Sequence, residues 1–202
     1  MRLGIFGGSF DPVHLGHLLL AEACREQASL DRVLFVPTNT QPHKLRHQPA
    51  PNAARVEMLQ LAIQGNSAFA VETLELDRGG VSYTVETLSE LKLRDPANEL
   101  FFLMGADSLA DFPNWREPRR ICELATLLVV QRAGQPSPEY SVLAPFLTSE
   151  QIAAWQAQQI ELPPIAISST DIRNRVAGGR SIRYRTPRAV EMLIADRKLY
   201  AK

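Results

Sequence analysis

The run Gly7-Gly8-Ser9-Phe10-Asp11-Pro12-Val13-His14-Leu15-Gly16-His17 follows directly on a short apolar segment. Glycines let a ligand come close to the backbone. A helix starting behind them offers its first N–H groups and the positive end of its dipole to an anion. The run lacks the Gly-Lys-Ser/Thr ending of a Walker loop. Gly4, Gly7 and Gly8 also miss the G-x-G-x-x-G spacing, and no acidic residue closes the second strand. Hydride transfer on a dinucleotide is therefore not the reading. His14 and His17 stand three residues apart and share one side of a helical turn. They fit hydrogen-bond donors to phosphate oxygens, a metal pair, or plain structural histidines. Zinc needs more ligands than Asp11 can add, and the adjacent glycines favour phosphate.

A second run, Ile167-Ser168-Ser169-Thr170-Asp171-Ile172-Arg173, lies near the other end. Three hydroxyls open a helix, and Ser168 with Asp171 resembles a capping box. Capping alone would explain them. Arg173, one turn in, adds a guanidinium that can fork onto phosphate oxygens.

These residues need a scaffold that brings both runs together. Apolar runs at 3–6, 33–36, 70–74, 100–104 and 127–130 read as strands covered on both faces. Amphipathic segments lie between them. In 52–64, Val56, Leu59 and Ile63 make a stripe and Asn52 a candidate N-cap. In 84–93, Val85, Leu88 and Leu91 do the same. Strand–helix alternation predicts one α/β domain over 1–202, a Rossmann-like doubly wound parallel sheet with helices on both faces and a small C-terminal helical extension. Residues 1–104 form its phosphate-binding half, and 105–202 its acceptor and C-terminal half. Ligands of such sheets sit at the carboxyl ends of the strands. Thr186 reads as the N-cap of a last helix, with Pro187 at its first position. The proline-rich stretch 37–51 is long for a connection and reads as a binding loop or lid; 133–148 reads as a surface excursion.

Composition narrows the class. Apolar residues make up 45% of the 202 and charged residues 22%, which excludes a disordered or collagen-like chain. The two cysteines, Cys24 and Cys122, read as reduced core thiols. No apolar run is long enough to span a membrane, and the cytoplasm is the expected location. Lys plus Arg and Asp plus Glu number 22 each, and a zero net charge argues against a general nucleic-acid binder. The zero is a cancellation, however. Residues 173–202 hold nine basic and two acidic side chains, +7, against −7 for the rest. A nucleotide triphosphate fits that basic segment, although its arginines could equally form a solvated face.

Together, GGSFDPVHLGH and ISSTDIR resemble the nucleotidyltransferase superfamily with H-x-G-H and ISST-x-R signatures. Pro42-His43-Lys44, Arg55 with Met58-Leu59, Ser82-Tyr83-Thr84 with Thr87-Leu88, Gly105-Ala106-Asp107 and Trp115 narrow this. They resemble the bacterial nicotinate-nucleotide adenylyltransferase family, over essentially the whole chain. One departure is the basic run Arg116-Glu117-Pro118-Arg119-Arg120. The resemblance implies adenylyl transfer from ATP to nicotinate mononucleotide, releasing pyrophosphate by direct in-line attack with no covalent enzyme intermediate. It implies that His14, His17, Lys44 and Arg173 are catalytic. ATP would be bound by Gly8, Ser9, Phe10, His14, His17, Gly105, Ser168, Ser169, Thr170 and Arg173. The acceptor would be bound by Gly7, Gly8, Ser9, Lys44, Tyr83, Thr84, Asp107, Trp115 and Arg132. Trp115 offers a ring to stack on the pyridine, and Arg116 is placed to attract the acid's carboxylate. Asp107, ending a strand, would accept from ribose hydroxyls. Magnesium would travel on the ATP phosphates, and no protein metal ligand is assigned. Nicotinamide mononucleotide or phosphopantetheine is the alternative acceptor, and a non-catalytic nucleotide sensor the alternative class. The number of subunits is left open.

Overall fold

The computed structural model describes residues 1–40, 49–132 and 136–201, with Arg132 described by its backbone alone. The consecutive apolar runs form strands β1 (Arg2–Gly8), β2 (Arg32–Pro37), β3 (Phe69–Val71), β4 (Glu99–Gly105), β5 (Ala125–Arg132) and β6 (Ile160–Leu162). All pair in parallel, in the order β3-β2-β1-β4-β5-β6. The helices are α1 (Leu15–Gln27), α2 (Asn52–Ile63), α3 (Leu74–Arg78), α4 (Thr84–Arg94), α5 (Ala106–Asp111), α6 (Pro118–Leu124), α7 (Ser149–Gln156), α8 (Ser169–Ala177) and α9 (Arg188–Asp196).

Period-two alternation splits each strand between two cores. Val33 and Phe35, Phe101 and Leu103, and Leu128 and Val130 face one core, with Leu20 and Cys24 of α1, Met58 and Leu59 of α2, Ile172 of α8 and Val190 and Ile194 of α9. Leu34 and Val36, Leu100, Phe102 and Met104, and Leu127 and Val129 face the other, with Leu74, Val85, Leu88, Leu109 and Ile121 from α3 to α6. The expected C-terminal extension is thus part of a helical layer, because α8 and α9 supply core residues.

The sheet opens where the site is needed. β1 pairs with β2 as far as Gly8↔Pro37, and β4 with β5 as far as Gly105↔Val130. Between β1 and β4 the pairing runs only from Arg2↔Glu99 to Ile5↔Phe102. Chain connections leave in opposite directions from these two central strands, so a crevice forms at their carboxyl ends.

Several local expectations change. Leu74 starts α3 rather than ending a strand, and the three-residue β6 was not anticipated. The buried face of α2 is Ala54, Arg55, Met58 and Leu59, not the stripe through Val56 and Ile63. It turns that way because Arg55 finds carbonyl acceptors inside the protein. Asn52 and Thr186 are not caps; Pro51 and Pro187 take those positions, where a missing N–H costs little. The Asn52 amide instead bonds Asn39 and Arg55, and the Thr186 hydroxyl donates to Val13 O. The 133–148 stretch is not wholly superficial, since Tyr140 and Leu143 are buried in the second core. Trp155 packs against that core as expected of a structural tryptophan.

Candidate active site

β1 delivers Gly7 and Gly8 to the crevice, and the chain then turns sharply. Phe10 takes a left-handed φ of 45° and buries its ring against Phe6, Phe35 and His17. This plugs the turn into the first core and holds residues 9–13 in one shape.

His14 and His17 form a reciprocal cap at the start of α1. His14 Nδ1 accepts from the His17 N–H at 3.3 Å, and His17 Nδ1 accepts from the His14 N–H at 3.2 Å. The rings stack at 3.7 Å between centroids, 18° from parallel. A capping box with imidazoles in place of a hydroxyl and a carboxylate has a chemical consequence. With Nδ1 an acceptor, the neutral ring carries its proton on Nε2. Both histidines are thereby set as Nε2–H donors of the same sense. Gly16 leaves room for the stack: a Cβ there would lie 3.1 Å from His14 Nδ1, tight enough to press on the ring.

The carbonyls of the phosphate loop are tied down by side chains from distant segments. Arg55 Nη1 donates to Ser9 O at 2.7 Å, Arg173 Nη1 to Asp11 O at 2.7 Å, Ser169 Oγ to Pro12 O at 2.9 Å and Thr186 Oγ1 to Val13 O at 2.8 Å. The Leu15 N–H adds a bond to Arg185 O. The two sequence motifs are thus joined directly, α8 against the loop before α1. Ser168 caps α8 through its Oγ, which accepts from Asp171 N at 3.1 Å.

Asp11 is buried, at 1% exposure, beneath this loop. Its Oδ1 accepts from Tyr200 OH at 2.6 Å and from the Ala50 N–H at 3.0 Å, and its Oδ2 lies 3.8 Å from Arg173 Nη1. Burial, with the adjacent Asp11 carboxylate, pushes the Tyr200 hydroxyl well above its ordinary pKa, so it stays a donor. Arg55, wholly buried, also bonds Thr38 O at 2.8 Å and Asn52 Oδ1 at 2.6 Å. Burial pulls its pKa down, with Asp11 opposing.

Opposite the phosphate loop, residues 79–84 and 105–117 form a second wall. Asn52 donates to Asn39, and Asn39 in turn donates to Gly80 O at 2.8 Å. A chain of polar groups therefore runs from Ser9 O through Arg55, Asn52 and Asn39 to the loop before α4. Ser82 Oγ accepts from Asn39 N at 3.0 Å. Below them Thr87 Oγ1 donates to Glu75 Oε1 at 2.6 Å, and burial raises the Glu75 pKa. Thr84 is the first residue of α4 and Tyr83 precedes it, both half-buried. Trp115 packs edge-on to Phe102 at 5.8 Å and tilted to Phe112 at 5.6 Å.

The comparisons with known proteins agree with this geometry. Residues 5–175 match the cytidylyltransferase-like family model. A probable nicotinate-nucleotide adenylyltransferase of Thermus thermophilus is 47% identical over 200 residues, covering 99% of this chain and 100% of its own. That of Rhodopirellula baltica is 45% identical over 198 residues, covering 98% and 92%. The chain belongs to the nicotinate-nucleotide adenylyltransferase family. Among solved structures, the nicotinic acid mononucleotide adenylyltransferase of Plasmodium falciparum complexed with NaAD superposes with a TM-score of 0.75. It has 17% identity and covers 98% of this chain and 97% of its own. At that identity the likeness speaks to the fold.

On this adenylyltransferase fold the expected site residues separate into groups. Gly7, Gly8, Ser9, Phe10, His14 and His17 come together with Ser168, Ser169, Thr170 and Arg173 at the phosphate loop. Gly105 lies at the end of β4, across the crevice, where a Cβ would fall 2.5 Å from Asp107 Oδ1. Asp107 does not end the strand; it is the second residue of α5 and exposed. Arg116 is not an open cation. It lies over the Tyr83 ring at 4.6 Å and pairs with Glu86 at 2.9 Å. Half exposed, it ties the Tyr83 ring and α4 to the turn that carries Trp115. Arg132 ends β5, with its side chain outside the described residues, as are Lys44 and the rest of 41–48. Arg55, Asp11 and Tyr200 carry more of the architecture than the sequence reading gave them. An arginine beside Met58 and Leu59 in a helix was the available signal for Arg55. Among the described residues no helix is long and apolar enough to cross a membrane.

Proposed function

We propose that this chain transfers the adenylyl group of ATP to nicotinate mononucleotide, giving nicotinate adenine dinucleotide and pyrophosphate. The observation that carries the site assignment is the reciprocal histidine cap. It fixes two Nε2–H donors beside the glycine turn, on the same loop that Arg173 and Ser169 brace.

The mononucleotide phosphate is already an anion, so the reaction needs no protein nucleophile. Its oxygen attacks the α-phosphorus of ATP in line, and the bond to the bridging oxygen of pyrophosphate breaks. Catalysis is then positioning together with stabilisation of charge on the transferring group. His14 and His17 donate to the phosphates, His17 nearest the reacting one, with the backbone around Gly8 to Phe10 beside them. Ser168, Ser169, Thr170 and Arg173 hold the departing pyrophosphate. Lys44 and His43, on the 41–48 segment, complete the charge around the triphosphate. Tyr83, Thr84, Asp107, Trp115 and Arg132 hold the acceptor across the crevice, Trp115 against the pyridine ring.

Magnesium would enter as part of the substrate, on the ATP phosphates, and would supply positive charge against theirs. Among the described residues no group of three or more His, Cys, Asp or Glu is placed to hold a metal. Asp11, the carboxylate nearest the loop, is engaged by Tyr200, Ala50 and Arg173.

The test is pyrophosphate release from ATP and magnesium with nicotinate mononucleotide, nicotinamide mononucleotide and phosphopantetheine in parallel. The reading expects the highest kcat/KM with the nicotinate acceptor. A preference for either other acceptor refutes the acceptor assignment, and no release with any refutes the enzyme reading.

A further inference from the structure

Among the described residues, Tyr200, Ala50 and Arg173 all reach the carboxylate of Asp11. Tyr200 OH holds Oδ1 at 2.6 Å, from a position 189 residues away in sequence. Arg173 Nη1 donates to the backbone oxygen of the same residue at 2.7 Å but stays 3.8 Å from Oδ2. That distance is too long for a hydrogen bond. An arginine and a buried carboxylate this close would ordinarily collapse into a bidentate pair. Here they do not, and the guanidinium makes its short contacts to a neutral backbone oxygen and, at 3.4 Å, to Thr170 Oγ1. The Tyr200 ring is built in: it packs against the first hydrophobic core, and its backbone sits at a φ of 62°, two residues after Lys198 at 50°. Left-handed backbone at side-chain-bearing residues is held only where surrounding contacts enforce it.

We propose that Tyr200 is a positioning residue for ATP: by occupying Asp11 Oδ1 it holds the Asp11 carboxylate at 3.8 Å from Arg173, short of a hydrogen-bonded pair, and so leaves more of that guanidinium for the triphosphate. The Ala50 N–H on the same oxygen extends the effect to the chain that follows residues 41–48. Without the hydroxyl, the carboxylate is released to close on Arg173, 3.8 Å away. Arg173 is then neutralised by its own protein before ATP arrives. The acceptor wall is untouched, because Tyr83 and Trp115 pack on the second core and the loop before α4 is tied to Asn39 through Gly80 and Ser82.

The inference rests on Arg173 being a triphosphate ligand, and the experiment separates the two. KM for ATP and for nicotinate mononucleotide, kcat and melting temperature are measured for the full chain and for Tyr200→Phe, Arg173→Lys, and Tyr200→Phe combined with Asp11→Asn. Tyr200→Phe is expected to raise KM for ATP about tenfold, the order set by one hydrogen bond to a charged group. KM for the mononucleotide should stay within twofold. The double variant, with no carboxylate left to capture Arg173, should recover most of the ATP affinity although it is no more stable. An unchanged KM for ATP in Tyr200→Phe, or equal increases for both substrates, overturns the inference. So does a double variant no better than the single one. If Arg173→Lys leaves KM for ATP and kcat intact, the phosphate role of Arg173 itself has failed.

Discussion

His14 both caps α1 and, in the proposed reaction, donates to phosphate, and these two roles can be separated by a pair of substitutions. In His14→Ala the His17 N–H loses its side-chain acceptor, keeping only the backbone oxygen of residue 14, and the ring stack is gone. Removing a side-chain N-cap costs about 1 kcal/mol. For a chain of this size that lowers the melting temperature by roughly 2–4 °C. In His14→Asn the amide oxygen stands close to where Nδ1 stood and can still accept from His17 N, which the imidazole now does at 3.3 Å. Asparagine is among the best N-caps, so stability should stay within about 0.5 kcal/mol of the parent. Neither variant reaches as far as Nε2. Both should therefore lose phosphate stabilisation alike, about 10²–10³ in rate for a preorganised donor. Thermal melts give the first quantity and pyrophosphate release at saturating ATP and mononucleotide the second. The expected pattern is one variant destabilised and one not, with similar rate losses. If His14→Asn turned over at nearly the parent rate, His14 would be a helix cap and nothing more. If its stability fell as far as that of His14→Ala, the reciprocal cap would not be what holds the loop.

Other outcomes follow from the same contacts. Arg55→Met removes the buried donor of Ser9 O, Thr38 O and Asn52 Oδ1 and should cost about 3 kcal/mol in denaturant unfolding; a loss below about 1 kcal/mol would contradict the network. Trp115→Ala should raise KM for the mononucleotide about tenfold while sparing ATP, with Trp115→Phe intermediate; an equal rise for ATP would place Trp115 elsewhere. Glu75 has a folded pKa raised by burial, so the native state holds its proton longer than the unfolded chain. Stability should therefore fall as pH climbs from about 4, the unfolded glutamate value, through the folded pKa. Glu75→Gln should be the more pH-independent protein across that window, and parallel stability curves for the two would refute the shift.

What the sequence disclosed and what it hid divide by distance along the chain. The phosphate turn, the histidine pair and the capped helix at Ser168 are local patterns, and local spacing carries them. The strands of the central sheet were legible because each is a continuous apolar run. β6 was not, with three residues and a charged one, Glu161, in its middle. The bracing of the phosphate loop was invisible for a different reason. Arg55 reaches back 46 residues to Ser9, and Tyr200 reaches 189 to Asp11. A buried arginine and a buried tyrosine hydroxyl make sense only once their acceptors are in view. The partners of the basic run after Trp115 were hidden in the same way: Arg116 meets Glu86 thirty residues back, and Arg119 the Pro145 carbonyl twenty-six residues on.

The order in which those braces come into existence has its own consequence. Residues 9–13 are made before the groups that brace them, and their carbonyls wait for donors at 55, 169, 173 and 186. Synthesis runs from the N-terminus and segments fold as they emerge, so most of the first core can assemble while the loop is still unbraced. Contacts spanning so much of the chain are also slow to close, since ordering the intervening segment precedes any gain. ATP binding should thus be among the last properties a refolding chain acquires, after the sheet signal has recovered. A newborn chain with its sheet built and α8 still unmade would be folded in appearance and silent toward nucleotide.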